Sequence, residues 1–130
     1  MKKIEAIIRP GRLEEVKEAL NSINIMGLTI SQVMGCGRQK GLKEVYRGTQ
    51  VDINVLPKIK IETVVDDADM EKVIATIITA SRLGEVGDGK IFVTNIENTI
   101  RIRTGESGTS AISRPVGGVA FPPRGLPCVV

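Results

Sequence analysis

The sequence predicts an α+β fold in which a strand–helix–strand unit occurs twice. The first observation is an internal repeat: KIEAIIRPGRLEEVKEAL from Lys3 aligns with KIETVVDDADMEKVIATI from Lys60, a constant offset of 57 residues. The second is the hydrophobic pattern, because each copy begins with a β-branched run and continues with apolar residues at helical spacing. The third is a β-rich stretch after each helix, LTISQVMG and KIFVTNIE. Two such units form a ferredoxin-like antiparallel sheet with both helices on one face. The alternative is that the two aligned segments resemble each other by chance.

The remaining elements follow from local signals. Residues typical of helix starts precede both helices, proline in the first copy and two aspartates in the second. The stretch TIRIR at 99–103 predicts a short last strand, on which Arg101 and Arg103 share a face because side chains alternate along a strand. Both helices cover one face of the sheet. We therefore expect the other face to be bare and apolar, which favours an oligomer.

One domain is expected at residues 1–112, with a long loop at about 37–55 and a Pro/Gly-rich tail at 113–130. The loop is polar and basic, and loops of this length are usually functional or disordered. The tail holds four of the six prolines, which predicts an extended segment that adds little to the core.

Composition excludes several classes of function. The chain has no histidine and only two cysteines, Cys36 and Cys128, which lie far apart, so zinc sites and histidine-dependent catalysis are not expected. A net charge of +3 does not imply nucleic acid. Apolar runs are too short for a membrane span or a signal peptide, which predicts a cytoplasmic protein.

Two stretches combine glycine backbone with cations. In VGDGKIF, Gly87 and Gly89 expose backbone N–H groups beside Lys90, a plausible phosphate cradle, although Asp-Gly is also ordinary turn chemistry. The paired arginines of TIRIR suit bidentate phosphate recognition, and a solvated strand edge is their alternative.

The second stretch is GCGRQKG at 35–41. Arg38 and Lys40 offer donors, and Gln39 offers an oxygen to a metal ion held by phosphates; a flexible loop base is the alternative. Lys58 lies at the other end of the same loop, so both loop roots can present a cation to a small carboxylate. Tyr46 is a candidate partner contact or a residue that packs on its own loop.

These motifs together resemble the PII signal-transduction family of nitrogen regulation. The resemblance runs from Met1 to about Ile112 and rests on MKKIEAIIRP, GRQKG, VYRG, LPKIKIE, GDGKIFV and IRIRTGE at nearly the family's spacings. It implies a homotrimer with nucleotide sites in the clefts between subunits. It also implies competitive binding of ATP or ADP, binding of 2-oxoglutarate together with Mg-ATP, and a long partner-binding T-loop.

The resemblance assigns roles to individual residues. Gly87, Asp88, Gly89 and Lys90 match the phosphate-binding loop, and Arg101 and Arg103 match phosphate-contacting arginines. The other nucleotide positions are the T-loop base, Gly35, Cys36, Gly37, Arg38 and Gln39, and the adenine and ribose pocket, Thr29, Glu62 and Val64. Gln39 also matches a side chain that ligates Mg²⁺ beside 2-oxoglutarate, with Lys40, Gly41 and Lys58 near that effector. Tyr46 and Arg47 match partner-contacting positions.

Three departures from the family pattern matter. Val51 stands where the family often has a modifiable tyrosine, and valine has no hydroxyl to uridylylate. Cys36 stands where phenylalanine is frequent. The tail is longer than expected, and a redox link between Cys36 and Cys128 is a hypothesis that rests only on their being the sole pair.

The implied function is a regulator whose partner is an enzyme, a transporter such as an ammonium channel, or a transcription regulator. It is not expected to be an enzyme, to bind nucleic acid, or to meet a membrane except through a transporter. The alternatives are a small nucleotide-using enzyme, for which Asp88 and Glu62 are the acids near the phosphates, and an RRM-like RNA-binding module. RRM domains stack bases on sheet aromatics, of which this chain has few.

Overall fold

A computed structural model describes residues 1–36, 43–46, 49–52 and 55–112, the two short ranges by their backbone. The strands are β1 (Lys2–Ile8), β2 (Thr29–Cys36), β3 (Lys43–Tyr46), β4 (Thr49–Asp52), β5 (Val55–Val65) and β6 (Lys90–Asn95). The helices are α1 (Leu13–Ser22) and α2 (Met70–Ser81). A three-residue 3-10 turn precedes each helix, Pro10–Arg12 and Asp67–Asp69, at the same offset of 57 as the helices themselves.

Four strands form one antiparallel sheet in the order β2-β5-β1-β6, which confirms the ferredoxin-like prediction. The central strands β1 and β5 are the two copies of the repeated strand. They pair along their whole shared length, with Glu5 directly opposite Glu62. Both strands alternate buried and half-buried residues, because only one face of the sheet is covered by helices.

The hydrophobic core repeats like the sequence. Ile4, Ile8, Val16 and Leu20 are at most 2% exposed, and the residues 57 positions later are buried as well: Ile61, Val65, Val73 and Ile77. The units differ in polarity where Ala6 is matched by Thr63. That threonine is buried, and its hydroxyl donates to the carbonyl of Gly27 at 2.9 Å. A buried hydroxyl therefore has a partner, as burial requires.

The face of the sheet away from the helices is charged at its centre rather than apolar, so that expectation was wrong. Lys3 and Lys60 each lie 3.2 Å from Glu62, and Lys60 lies 3.8 Å from Glu5. These four residues alternate with the buried positions of β1 and β5, which puts them on the open face. Ion pairs among neighbours make this face compatible with water.

The predicted strand at 99–103 was also wrong. The described backbone makes one isolated bridge there, between Ile100 and Ser107, and then turns. Gly105 has φ +74° and donates to the carbonyl of Arg101 at 2.7 Å, which closes a local turn in place of a sheet ladder. A tight turn ends the extended run, so Arg101 and Arg103 do not share a strand face.

The long loop contains structure that its composition did not reveal. Strands β3 and β4 pair as a separate two-stranded sheet, with Lys43 opposite Asp52 and Tyr46 opposite Thr49. The predicted tail at 113–130, with Cys128, lies outside the described residues. Among the described residues, no helix is long and apolar enough to cross a bilayer.

Candidate ligand-binding site

The glycine loop, residues 82–89, connects α2 to β6 and folds around one carboxylate. Asp88 Oδ2 accepts the backbone N–H groups of Leu83 at 3.1 Å, Gly84 at 2.8 Å and Glu85 at 3.3 Å. Its Oδ1 accepts Arg9 Nε at 3.2 Å. Although partial burial works against the charged form, the hydrogen bonds from the Gly84 N–H and from Arg9 hold the pKa of Asp88 below its usual value. The Asp88 carboxylate therefore points towards the backbone of its own loop.

The two predicted cradle glycines occupy positions that side chains rarely adopt. Gly87 has φ +102° and Gly89 has φ +104°. A Cβ added to Gly89 would lie 1.7 Å from the carbonyl oxygen of Ile7, so the loop approaches β1 too closely for any side chain. Within the described part of the chain, the N–H groups of Gly87 and Gly89 donate to no carbonyl or side chain. They are available to an anion.

One root of the long segment contacts the glycine loop, and the other root packs on it through Lys58. Lys58, near the start of β5, donates from Nζ to the carbonyl of Gly87 at 2.8 Å. Gly35, near the end of β2, packs against the Lys58 side chain, because a Cβ there would lie 2.9 Å from Lys58 Cγ. Burial and the nearby Arg9 guanidinium lower the pKa of Lys58, while Asp88 opposes that shift. The structure thus brings together Gly35, Lys58 and the glycine loop.

Two further candidates lie at this end of the sheet. Lys90 begins β6 opposite Ile7 and is exposed. Cys36 ends β2 as an exposed free thiol. We call this group the loop end of the sheet; it consists of Gly35, Cys36, Lys58 and residues 87–90. It gathers cationic side chains and unused backbone donors, the chemistry that suits phosphate or carboxylate.

The predicted adenine and ribose positions lie elsewhere on the sheet. Thr29 is directly opposite Glu62, and Val64 is two residues further along β5, opposite Lys3 of β1. Val64 is six residues from Lys58 on the same strand, about 20 Å at the usual rise of an extended chain. Hydrogen bonds from Lys3 and Lys60 lower the pKa of Glu62. Its carboxylate is thus ionised and held on the open face.

The segment with the two predicted phosphate arginines follows β6 and begins beside the start of β1. The segment that carries them is anchored to Met1, whose carbonyl accepts the N–H of Ile96 and whose sulfur accepts the Thr99 hydroxyl. Arg101 lies 3.3 Å from Glu106 Oε1 and donates to the carbonyl of Ala111 at 3.2 Å. We call the group Thr29, Glu62, Val64, Arg101 and Arg103 the Met1 end of the sheet.

Within one chain, the predicted nucleotide-binding residues therefore form two separate groups. The loop end lies beside Ile8 and the Met1 end beside the start of the same strand, β1. The other predicted residues are outside the described ranges: Gly37, Arg38, Gln39, Lys40, Gly41 and Arg47. Tyr46 lies in β3, and only its backbone is described.

Arg9 is a residue that sequence reasoning missed. Besides Asp88, it binds the carbonyl of Val86 through Nη2 at 2.9 Å, so it ties the end of β1 to the glycine loop. The repeat offered a signal, because the position 57 residues later is Asp66 and the basic residue has no counterpart.

The described residues contain no group of three or more cysteine, aspartate or glutamate side chains that could hold a metal ion. The oxygen assigned to Mg²⁺, on Gln39, lies outside them. A protein-only metal centre is therefore not assembled in the part of the chain that the structure describes.

These features define the class of the protein: a ferredoxin-like α+β domain with a long segment between β2 and β5 and a glycine loop before β6. The sequence model of the family Nitrogen regulatory protein P-II matches residues 1–106, and the chain belongs to this family. Family membership supports a signalling role in nitrogen regulation and confirms the resemblance seen in the motifs.

Curated relatives agree with that assignment. Nitrogen regulatory protein P-II of Bradyrhizobium diazoefficiens is 55% identical over 112 residues, which are 86% of this chain and 100% of the relative. The proteins of the same name from Rhizobium meliloti and Nostoc punctiforme are each 54% identical over the same shares of both chains.

Proposed function

We propose that the protein is a cytoplasmic homotrimeric sensor that binds ATP or ADP competitively and binds 2-oxoglutarate together with Mg-ATP. The ligands set the conformation of the T-loop at 37–55, which a partner protein reads. The observation that carries this proposal is the bond from Lys58, at one T-loop root, to the Gly87 carbonyl, while Gly35 of the other root packs on the Lys58 side chain. A ligand at that loop touches the base of the segment that signals.

The loop end supplies the phosphate site in this proposal. Gly87 and Gly89 offer backbone N–H groups, and Lys90 and Lys58 offer cations, which together suit the oxygens of a polyphosphate. Mg²⁺ would neutralise part of the phosphate charge, with Gln39 as a protein ligand. Arg38 and Gly37 would complete the site from the T-loop.

The separation of the two ends supports a site shared between subunits. The Met1 end would supply the ribose and adenine contacts of Thr29, Glu62 and Val64 and the guanidiniums of Arg101 and Arg103. Both ends belong to one site if the Met1 end of one copy packs against the loop end of the next. Such a head-to-tail contact closes into a ring, as in a trimer.

Lys58 is the proposed link to 2-oxoglutarate. Its ammonium already binds the Gly87 carbonyl at 2.8 Å, so a carboxylate that recruits Lys58 competes with a contact of the glycine loop. A ligand shifts a conformational equilibrium only by its difference in affinity for the two states. Because the effector and the Gly87 carbonyl compete for Lys58, the effector would bind more tightly to the state in which Lys58 is released. This difference would couple the effector to the nucleotide and to the root of the T-loop.

The partner would be a nitrogen-regulated enzyme, a transporter such as an ammonium channel, or a transcription regulator, contacted through Tyr46 and Arg47. Val51 has no hydroxyl, so ligands rather than uridylylation at this position would control the contact. Retention of one cellular partner with Mg-ATP and 2-oxoglutarate, and its release with ADP, is the expected result of affinity capture. Identical retention in both conditions would contradict control by these ligands.

Calorimetric titration tests the effector site. We expect 2-oxoglutarate to bind only when Mg-ATP is present, and Lys58→Met to weaken that binding by about tenfold or more, because charged hydrogen bonds contribute about 1.5–3 kcal/mol. Lys72→Met on α2 removes the same charge far from the loop and should bind normally. Binding of 2-oxoglutarate that ignores ATP would count against the proposal.

Mixing two binding-deficient variants tests the shared site. Lys90→Ala damages the loop end and Arg103→Ala the Met1 end, so each homotrimer should bind ATP weakly. Random mixing of their subunits should restore about a quarter of the sites, because one interface in four then combines two intact ends. Recovery of no sites after confirmed subunit exchange would show that the two ends do not share a nucleotide.

A further inference from the structure

Both oxygens of the Asp88 carboxylate are engaged by hydrogen bonds within the protein. A carboxylate offers about four lone-pair sites. In Asp88, Oδ2 accepts the N–H groups of residues 83–85, at 2.8–3.3 Å, and Oδ1 accepts Arg9 Nε at 3.2 Å. A negative charge would in any case repel a phosphate. Asp88 therefore differs from its neighbours Gly87, Gly89 and Lys90, with which the family motif groups it.

The same contacts fix the loop at several points. Arg9 reaches both Asp88 and the Val86 carbonyl from the end of β1, and Lys58 holds the Gly87 carbonyl from β5. The Asp88 N–H closes the turn by donating to the Glu85 carbonyl at 3.3 Å. Every residue from Leu83 to Asp88 is thus hydrogen-bonded to Asp88, Arg9 or Lys58, and the glycine N–H groups stay outside this network.

We propose that Asp88 is a positioning residue: with Arg9 it holds residues 83–87 against β1 so that the N–H groups of Gly87 and Gly89 face the nucleotide's phosphates. The inference rests on the proposed nucleotide site and specifies how that site is built. It removes Asp88 from the residues that touch the ligand, and with it one of the two acids that a nucleotide-using enzyme could use as a base.

The direction in which one substitution changes the affinity for ATP distinguishes a positioning role from a purely electrostatic one. Asp88→Asn keeps the size of the side chain but removes the negative charge that holds Arg9. If Asp88 acted only through its charge, its removal would tighten the binding of ATP. Positioning predicts the opposite, an affinity for Mg-ATP lower by about tenfold, because the loop is released. Glu85→Gln is the matched control: it removes the same charge from the same loop, and it should bind as tightly as the unmodified trimer or slightly tighter.

Adenosine, which lacks phosphates, provides the second readout. We expect Asp88→Asn to bind adenosine like the unmodified trimer, so the ratio of ATP to adenosine affinity falls. Equal losses for both ligands, or ATP binding that is unchanged or tighter, would overturn the positioning role. Failure of the unmodified trimer to bind ATP would instead overturn the proposed function itself.

Arg9→Lys keeps the inference testable if Asp88→Asn does not fold. A lysine retains the charge but cannot bind Asp88 and the Val86 carbonyl with one planar group. We expect a loss of about threefold for ATP and none for adenosine. Full ATP affinity in this variant, with a thermal midpoint equal to that of the unmodified protein, would contradict the role assigned to the Arg9–Asp88 pair.

Discussion

The two strand–helix–strand units of this molecule have nearly the same core and different connections. Leu20 and Ile77 occupy equivalent places and are equally buried, and both helices follow a 3-10 turn. After α1 the chain makes a short turn in which Asn24 has φ +66°, and then reaches β2. After α2 it forms the glycine loop, tied by Asp88 and Arg9. A repeated core therefore carries its difference in the loops, where binding sites usually lie.

The largest expected effect tests whether the two cores are energetically equivalent. Leu20→Ala and Ile77→Ala each remove a side chain that is at most 1% exposed, so each should destabilise the protein by about 2–5 kcal/mol through lost burial and a cavity. Urea unfolding at one protein concentration measures both. Costs that differ by more than about 2 kcal/mol would show that one unit carries most of the stability.

The next effect separates the two helix-to-strand connections. Gly89→Ala forces a Cβ towards the Ile7 carbonyl at a φ of +104°, and should cost about 3 kcal/mol or more and abolish ATP binding. Gly27→Ala is the matched change in the first connection, where no atom lies within 4 Å of an added Cβ, and should cost less than about 1 kcal/mol. Similar losses in both variants would show that the glycine loop is not special.

A smaller effect concerns the core position at which Ala6 of one unit is matched by Thr63 of the other. Thr63→Val keeps the shape of the side chain but removes the hydroxyl that donates to Gly27. The Gly27 carbonyl then loses its partner, so we expect a loss of about 1 kcal/mol in urea unfolding. Thr76→Val on the outer side of α2 is the control, because its hydroxyl bonds within its own helix. A Thr63 variant as stable as the unmodified protein would mean that the hydroxyl only fills space.

The smallest effect is a pH dependence on the open face. Hydrogen bonds from Lys3 and Lys60 place the pKa of Glu62 below its usual value. This stabilisation is complete above the ordinary glutamate pKa of about 4.3 and is lost as the pH falls through the lower pKa of the folded state. Glu62→Gln should therefore flatten the acid side of the stability curve.

The repeat provides the control for that experiment. Glu5 is the equivalent residue, and its ion pair with Lys60 is longer, at 3.8 Å. Unfolding measured between pH 7 and 3 should change slope less for Glu5→Gln than for Glu62→Gln. An equal change in both variants would mean that the two lysines do not favour Glu62 over Glu5.

The sequence by itself predicted the elements whose signal is local or repeated. The offset of 57 anticipated both helices and the strand before each of them, and the alternation in KIKIE anticipated that Lys60 and Glu62 share a face. It failed at 99–103, because Ile and Arg alternation resembles a strand whether or not a partner strand is near. It also missed β3 and β4, since short polar strands have no apolar period.

The site divides in the same way. The motifs pointed to Gly87, Gly89, Lys90 and Lys58 because glycine freedom and positive charge are visible in single residues. They could not reveal that Asp88 faces inward, that Arg9 reaches it across 79 positions, or that the Met1 end and the loop end lie apart in one chain. Such facts depend on distances between residues far apart in sequence. Local propensity determined the elements and the repeated core. Only tertiary packing, which brings strands and loops distant in sequence together, decided which charges become neighbours.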